Sequence, residues 1–126
     1  MTREQVLKET VEFYNLGNRA IQGDNCYYIT NCGNKCAVGR LLTDKECHRI
    51  ENFSITGIGD FYASEFEEYL PEKVAELGQE FLGKLQELHD WANNWTETGI
   101  SKEGIEVANN IIKRFKLELP EFKMEL

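Results

Sequence analysis

The sequence predicts an α+β fold that is mostly helical, with about five helices and one short antiparallel β-hairpin. Apolar residues recur at spacings of three and four in several segments, and a Ser or Thr that can cap a helix precedes three of these segments. Two strand-like runs flank a stretch rich in Asn and Gly. The chain has 126 residues, of which 41% are apolar and 29% charged, so we predict a single domain over 1–126.

Five segments carry the apolar spacing of a helix. Capping-box patterns mark the start of two of them, since Thr2 is followed by Gln5 and Thr43 by Glu46. The predicted helices are one from Thr2 to Gly23, a short one after Thr43, a short one at 60–70, the longest from Pro71 to Trp91 or Ala92, and a last one that Ser101 caps.

The hairpin is predicted between the first two helices. Residues 26–29 and 35–38 are the strand-like runs, and the Asn and Gly residues at 31–34 suit the tip of the turn between them. A lone hairpin is only marginally stable in water, so it must lie on helices or gain a third strand. Residues 55–58 are the candidate for that strand.

The charge balance favours a protein partner over a nucleic acid. The chain has 22 acidic and 14 basic residues and a formal net charge of −8, which repels the phosphate backbone of DNA or RNA. An acidic surface can dock on a basic protein, whereas Trp91 is expected in the core. The residues predicted to contact such a partner are Glu65, Glu67, Glu68, Glu72, Glu76 and Trp95.

Two absences in the sequence predict a cytoplasmic protein. No basic segment followed by an apolar one comes after Met1, so no signal peptide is expected. No apolar run approaches the roughly 18 residues that span a bilayer, so no membrane contact is expected.

Four cysteines fall between 26 and 47, and in a cytoplasmic protein they are expected to be reduced. Their spacing contains no Cys-x2-Cys pair, so no metal and no other cofactor is predicted. If a metal binds, the expected ligands are Cys26, Cys36, Cys47 and His48. A zinc-stabilised module, and a small enzyme that uses Cys36 or Cys47 with His48, stay open as alternatives.

Two basic residues beside glycines indicate where a small anion would bind. Lys35 lies close to Gly33, and Arg40 follows Gly39, although neither site matches a phosphate-loop pattern. Positive charges are rare in this acidic chain, so Lys35 and Arg40 are the predicted ligand-binding cations, with Tyr28 as an aromatic stacking partner.

Several motifs resemble a family of small phage and prophage proteins. They are the Cys-x-Tyr motif at 26–28, the Lys-Cys-Ala-Val-Gly run at 35–39, the Leu-Gln-x-Leu-His-Asp run at 85–90, the Asn-Trp motif at 94–95 and the Gly-Ile-Ser motif at 99–101. The resemblance implies a small accessory protein that acts inside a bacterial cell. It implies no particular activity.

Because the sequence contains no convincing catalytic constellation, the leading hypothesis is a non-enzymatic binding protein that antagonises a bacterial defence component. In one version it inhibits a host protein through its acidic and aromatic surface. In the other version it sequesters a small anionic nucleotide signal, and a protein of that kind is expected to form homo-oligomers.

Overall fold

The computed structural model is mostly helical with short antiparallel strands, which confirms the predicted α+β class. It describes residues 1–19, 34–47 and 70–123, together with the backbone of 21–22 and 25–26. The elements are α1 (Arg3–Phe13), β1 (Ile21–Gln22), β2 (Asn25–Cys26), a 3₁₀ turn (Gly39–Leu41), α2 (Glu72–Ala75), α3 (Gln79–Asp90), a second 3₁₀ turn (Ala92–Asn94), β3 (Trp95–Thr96), β4 (Gly99–Ile100) and α4 (Lys102–Phe115). Residues 44–47 are also helical.

Helices α1, α3 and α4 pack against one another and share an apolar core. Each of them has apolar residues at helical spacing, so one face of each helix is buried. Fully burying one such side chain stabilises a fold by roughly 1.5–3 kcal/mol, and this burial is what holds the three helices together. The side chains with no exposed surface in this core include Leu7, Val38, Phe81, Leu82, Leu85 and Leu88.

The predicted helix caps are confirmed at the three Ser and Thr positions. The side-chain oxygens of Thr2, Thr43 and Ser101 each accept the backbone N–H three residues later. Glu46 completes a capping box, because its carboxylate accepts the backbone N–H of Thr43 at 2.8 Å. These short-range signals therefore fix where three helical segments begin.

Helix α1 is shorter than predicted, since it ends at Phe13 and not near Gly23. Two asparagine side chains end it. Asn15 Oδ1 accepts backbone N–H groups two and three residues later, and Asn18 Oδ1 accepts the N–H of Asn15. Asn18 Nδ2 also donates to the carbonyl of Phe13 at 2.8 Å. The short amide side chains satisfy backbone groups that would otherwise continue the helix.

The predicted strand at 35–38 is wrong. Only Lys35 forms a β-bridge, residues 37–38 form a turn, and the 3₁₀ turn follows. A strand with one solvent face would alternate buried and exposed residues, but Cys36, Ala37 and Val38 are all buried. The observed hairpin pairs β1 with β2 instead. The predicted turn at 31–34 lies outside the described residues apart from Asn34, and the third strand at 55–58 and the helix at 60–70 lie outside them apart from Leu70.

The predicted longest helix is two helices. Pro71 caps the one-turn helix α2, and the chain then breaks at Gly78, whose φ of 93° is one that residues with a Cβ atom rarely adopt. Helix α3 begins at the next residue. The side chain of Arg3 donates to the carbonyl of Leu77 at 2.8 Å, so the start of α1 holds this break in place.

A second hairpin, which the sequence did not predict, joins β3 to β4 between α3 and α4. Its register pairs Trp95 with Ile100, and Ser101 directly after it caps α4. The hairpin reverses the chain so that α4 can pack against α3. None of the helices formed by the described residues is long and apolar enough to cross a membrane.

Candidate functional site

A cleft of about 230 Å³ lies at the carboxyl end of α1 and is lined by Phe13, Asn18, Asn34, Lys35 and Arg40. We call it the Arg40 cleft. Two of the three predicted ligand-binding residues, Lys35 and Arg40, meet in it, and Tyr28 lies outside the described residues. Phe13 and the two asparagines were not predicted for the site. The sequence signal for Phe13 and Asn18 is the asparagine-rich stretch that ends α1 beside Phe13.

The guanidinium group of Arg40 lies over aromatic rings. Its Cζ atom is 4.1 Å from the ring centroid of Phe13 and 5.9 Å from that of Tyr14. Phe13 is 47% exposed, and Arg40 is partly exposed, so this contact is at the surface. Within the described part of the chain, no carboxylate forms an ion pair with Arg40. The ring contact orients the guanidinium without neutralising its charge.

Lys35 differs from Arg40 because its charge is already paired. Its Nζ atom is 2.6 Å from Asp44 Oδ1 and donates to the carbonyl of Leu42 at 3.0 Å. The lysine side chain is 22% exposed, and the aspartate is 74% exposed. These contacts tie the two ends of the segment that carries Arg40 and hold that segment closed.

Buried polar groups anchor the same segment to the core. The Tyr14 hydroxyl donates to the carbonyl of Lys35 at 2.5 Å, and the N–H of Val38 donates to Gln86 Oε1 at 3.2 Å. Gln86 Nε2 in turn donates to Asp90 Oδ1 at 3.0 Å. Burial raises the pKa of the Tyr14 phenol, so it stays protonated and remains a donor at physiological pH. The backbone around Arg40 is therefore positioned by side chains of α3 and of the residue that follows α1.

His89 and Asp90 form a close pair, but the histidine belongs to the core. His89 Nδ1 lies 2.7 Å from Asp90 Oδ1, and the imidazole has no exposed surface. Tyr14 covers it with an edge-to-face ring contact at 4.8 Å between centroids. A substrate cannot reach this imidazole without opening the core.

Cys36 and Cys47, the two cysteines whose side chains the structure describes, are both buried. Cys36 and Cys47 are 1% and 0% exposed, and both sulfur atoms hydrogen-bond to the backbone of Gly39. Burial raises the pKa of the Cys36 thiol, which disfavours the thiolate that a nucleophile needs. The Cys26 side chain and His48 lie outside the described residues. Within the described residues no group of three or more His, Cys, Asp or Glu side chains is placed to hold a metal ion.

Only part of the predicted partner surface lies among the described residues. Glu72 and Glu76 are exposed at α2, whereas Glu65, Glu67 and Glu68 lie outside the described residues. The assignments of the two tryptophans are wrong. Trp91 was expected in the core and is 65% exposed, while Trp95 was expected to contact a partner and is 3% exposed.

The second hairpin explains the exchange of the two tryptophans. Helix α3 ends before Trp91, which has extended backbone dihedrals, and β3 folds back so that the Trp95 ring is buried. The Trp95 indole N–H donates to the carbonyls of Leu88 and His89 at 3.0 and 3.1 Å. The ring thereby satisfies the carboxyl end of α3, which leaves Trp95 no surface for a partner.

A second surface groove of about 320 Å³ runs between α3 and α4. Its cations are paired: Lys84 lies 3.3 Å from Glu87 Oε2, and Arg114 Nε donates to Glu80 Oε1 at 2.7 Å. Lys84 and Arg114 are therefore less suited than Arg40 to take an external anion.

No family model matches the chain, and the curated proteins and solved structures that were searched contain no match either. Function is therefore inferred from the Arg40 cleft itself.

Proposed function

We propose that this chain acts by binding, and that the Arg40 cleft holds a small anionic ligand. The observation that supports this most is the guanidinium 4.1 Å from the Phe13 ring, which no carboxylate of the described residues neutralises. A guanidinium presents several N–H donors in a rigid plane that matches a phosphate or a carboxylate. An unneutralised guanidinium at the wall of a cleft can form charge-assisted hydrogen bonds with an anion that enters it.

The rest of the lining suits a ligand that is polar as well as charged. The side-chain amides of Asn18 and Asn34, which also make hydrogen bonds within the chain, give the lining polar surface, and the exposed part of Phe13 offers an apolar edge. A volume of about 230 Å³ is below the usual 300–1,000 Å³ of a site that encloses a whole drug-sized molecule. The cleft is therefore proposed to hold the charged end of a larger ligand.

The proposed ligand class is a nucleotide signal. This choice rests on the charge of the cleft and on the resemblance to phage and prophage proteins, for which sequestering a defence signal is a useful activity. A protein that holds such a nucleotide lowers its concentration in the host bacterial cell. Defence would be antagonised by stoichiometric binding, with no catalytic step.

A second candidate is a protein inhibitor of a defence component. Its support is the exposure of Trp91, at 65%, together with the exposed carboxylates of Glu72 and Glu76 on a chain of net charge −8. An exposed tryptophan is a common anchor in protein interfaces. A basic partner fits this charge, and Trp91 takes the place that was predicted for Trp95.

The test compares Arg40→Gln with a matched control. Arg114→Gln makes the same change in charge, and Arg114 also contacts a ring, since its Cζ is 6.0 Å from the Phe115 centroid. Arg3 Cζ is 5.2 Å from that same ring, at the start of α1. Phe13, at the other end of α1, is about 15 Å further along the helix axis. Arg114 is therefore remote from the Arg40 cleft.

Native mass spectrometry of the wild-type protein is the first measurement, because it gives the subunit count and any co-purifying mass. Calorimetric titration with AMP and with inorganic phosphate follows, after thermal melts confirm that both variants fold. Losing a charge-assisted hydrogen bond should weaken binding by at least about tenfold in Arg40→Gln, and Arg114→Gln should bind as the wild type does. Equal affinities in the two variants would refute the site, and pull-down of a host protein through Trp91 would favour the second candidate.

A further inference from the structure

The Lys35–Asp44 ion pair borders the Arg40 cleft. Lys35 lines the cleft, but its Nζ atom is 2.6 Å from Asp44 Oδ1. The second hydrogen bond of Nζ, to the carbonyl of Leu42, keeps the ammonium beside the cleft whether or not the aspartate is charged. The described lining residues thus include two cations, of which one already has a carboxylate partner.

We infer that Asp44 is a specificity-determining residue that makes the Arg40 cleft favour ligands with a single anionic group, such as a phosphomonoester or a carboxylate. This inference rests on the proposed function. A ligand with one anionic group can pair with Arg40 alone. A diphosphate needs a second cation, and the one beside Arg40 is engaged by a carboxylate that repels the second phosphate group.

Two observations support the view that the Asp44 carboxylate competes with an incoming anion for the Lys35 ammonium and is not only a structural group. Its side chain is 74% exposed, so solvent and solutes reach the carboxylate, while the Lys35 side chain is 22% exposed and faces the cleft. The segment that carries Arg40 has other anchors, from the Tyr14 hydroxyl to the Lys35 carbonyl and from Val38 N–H to Gln86. Neutralising Asp44 should therefore release the ammonium without releasing the segment.

The test is Asp44→Asn with Glu46→Gln as its control. Both changes remove one negative charge from the same helical segment, 44–47. A glutamine at position 46 can still accept the N–H of Thr43 in the capping box, so the control keeps the helix start. Only the change at Asp44 removes the carboxylate that pairs with Lys35.

The measurement is an NMR titration of each protein with inorganic phosphate and with pyrophosphate, following the side-chain Nε–Hε signal of Arg40. We expect Asp44→Asn to bind pyrophosphate about threefold more tightly than the wild type, from the usual strength of an exposed ion pair. The gain for phosphate should be smaller. Glu46→Gln should change the dissociation constants for pyrophosphate and phosphate by less than half of the gain seen for Asp44→Asn.

The outcomes separate this inference from the proposed function. If Asp44→Asn and Glu46→Gln bind pyrophosphate equally, the specificity role of Asp44 is refuted and the anion site stands. If Arg40→Gln keeps the wild-type affinity for both anions, the site itself is wrong. If none of the proteins, wild type included, shifts the Arg40 signal with either anion, both proposals fail.

Discussion

The substitution Gly104→Ala tests how α4 packs on the second hairpin, because sequence and structure predict opposite signs for it. In a helix interior alanine is favoured over glycine by about 1 kcal/mol. A Cβ atom on Gly104, however, would lie 2.2 Å from the carbonyl oxygen of Asn94 and 2.6 Å from Ile100 Cγ1. The first of these neighbours is backbone and cannot rotate away.

The expected magnitude follows from what has to move. The Asn94 carbonyl accepts the N–H of Ser101 at 2.8 Å, so displacing it also weakens the contact that precedes α4. Overpacking of this kind costs about 3 kcal/mol, and the gain in helix propensity offsets about 1 kcal/mol of it. A net loss of about 2 kcal/mol in the free energy of unfolding corresponds to a decrease of about 8 °C in Tm for a chain of 126 residues.

Thermal unfolding followed by circular dichroism measures this difference, with urea unfolding as a second estimate. Asn110→Ala is the matched control, because Asn110 is exposed on the same helix and the change raises helix propensity without a steric conflict. The control should be as stable as the wild type or more stable by up to about 0.7 kcal/mol. A Gly104→Ala protein with an unchanged or higher Tm would show that α4 does not approach the hairpin as closely as described.

Three further predictions use the same structure. The wild type has two tryptophans, and in Trp91→Phe acrylamide should quench the fluorescence of the remaining Trp95 poorly; strong quenching would contradict its burial. The Cys36 thiol should react slowly with iodoacetamide between pH 7 and 9, because burial raises its pKa, and peptide mass spectrometry showing labelling at the rate of an unfolded control would refute this. Ser101→Ala should lower the free energy of unfolding by about 1–2 kcal/mol, since it removes a helix cap and the bond to the carbonyl of Asn93; a change below 0.5 kcal/mol in urea unfolding would argue against the cap.

Local signals in the sequence predicted the parts of the fold that depend on neighbouring residues. The caps at Thr2, Thr43 and Ser101 are confirmed because a side chain and a backbone N–H three residues apart meet in any helix start. The apolar spacing in α3 and α4 predicted which face of each helix is buried, because residues three and four apart lie on one side of a helix.

Two of the parts that were wrong depend on contacts that the apolar spacing does not show. The break at Gly78 is held by the side chain of Arg3, which lies 75 positions earlier in the chain. The apolar spacing continues across Gly78, so it predicted one uninterrupted helix. The exposure of Trp91 and the burial of Trp95 depend on a hairpin whose strands have two residues each. Such strands are too short to show an alternation of apolar and polar residues in the sequence. A side-chain hydrogen bond decided the first outcome and burial of the Trp95 ring decided the second, and both are properties of the whole fold.

Two residues that line the candidate site were named from the sequence. Lys35 and Arg40 were selected as rare cations in an acidic chain, and the structure places both at one cleft. The sequence did not show that Lys35 has an ion-pair partner and Arg40 has none among the described residues. Asp44 is the partner of Lys35, and the spacing of these two residues does not reveal that the 3₁₀ turn brings them together. Phe13 was predicted to lie within a helix that continues to Gly23, whereas α1 ends at Phe13, whose ring lies under the Arg40 guanidinium.

The net charge of −8 and the charge of Arg40 act on an approaching anion over different distances. At an ionic strength of 0.15 M the screening length is about 8 Å, so most surface carboxylates are screened from an anion in the cleft, whereas a guanidinium in contact with it is not. At 0.01 M the screening length is about 30 Å, and the acidic surface as a whole then repels the anion before it arrives. Added salt therefore removes the long-range repulsion and leaves most of the short-range contact with Arg40 in place. An anion site on this acidic chain should thus lose less affinity with salt than the same site on a basic protein, and Arg40→Gln should remove the attractive part alone.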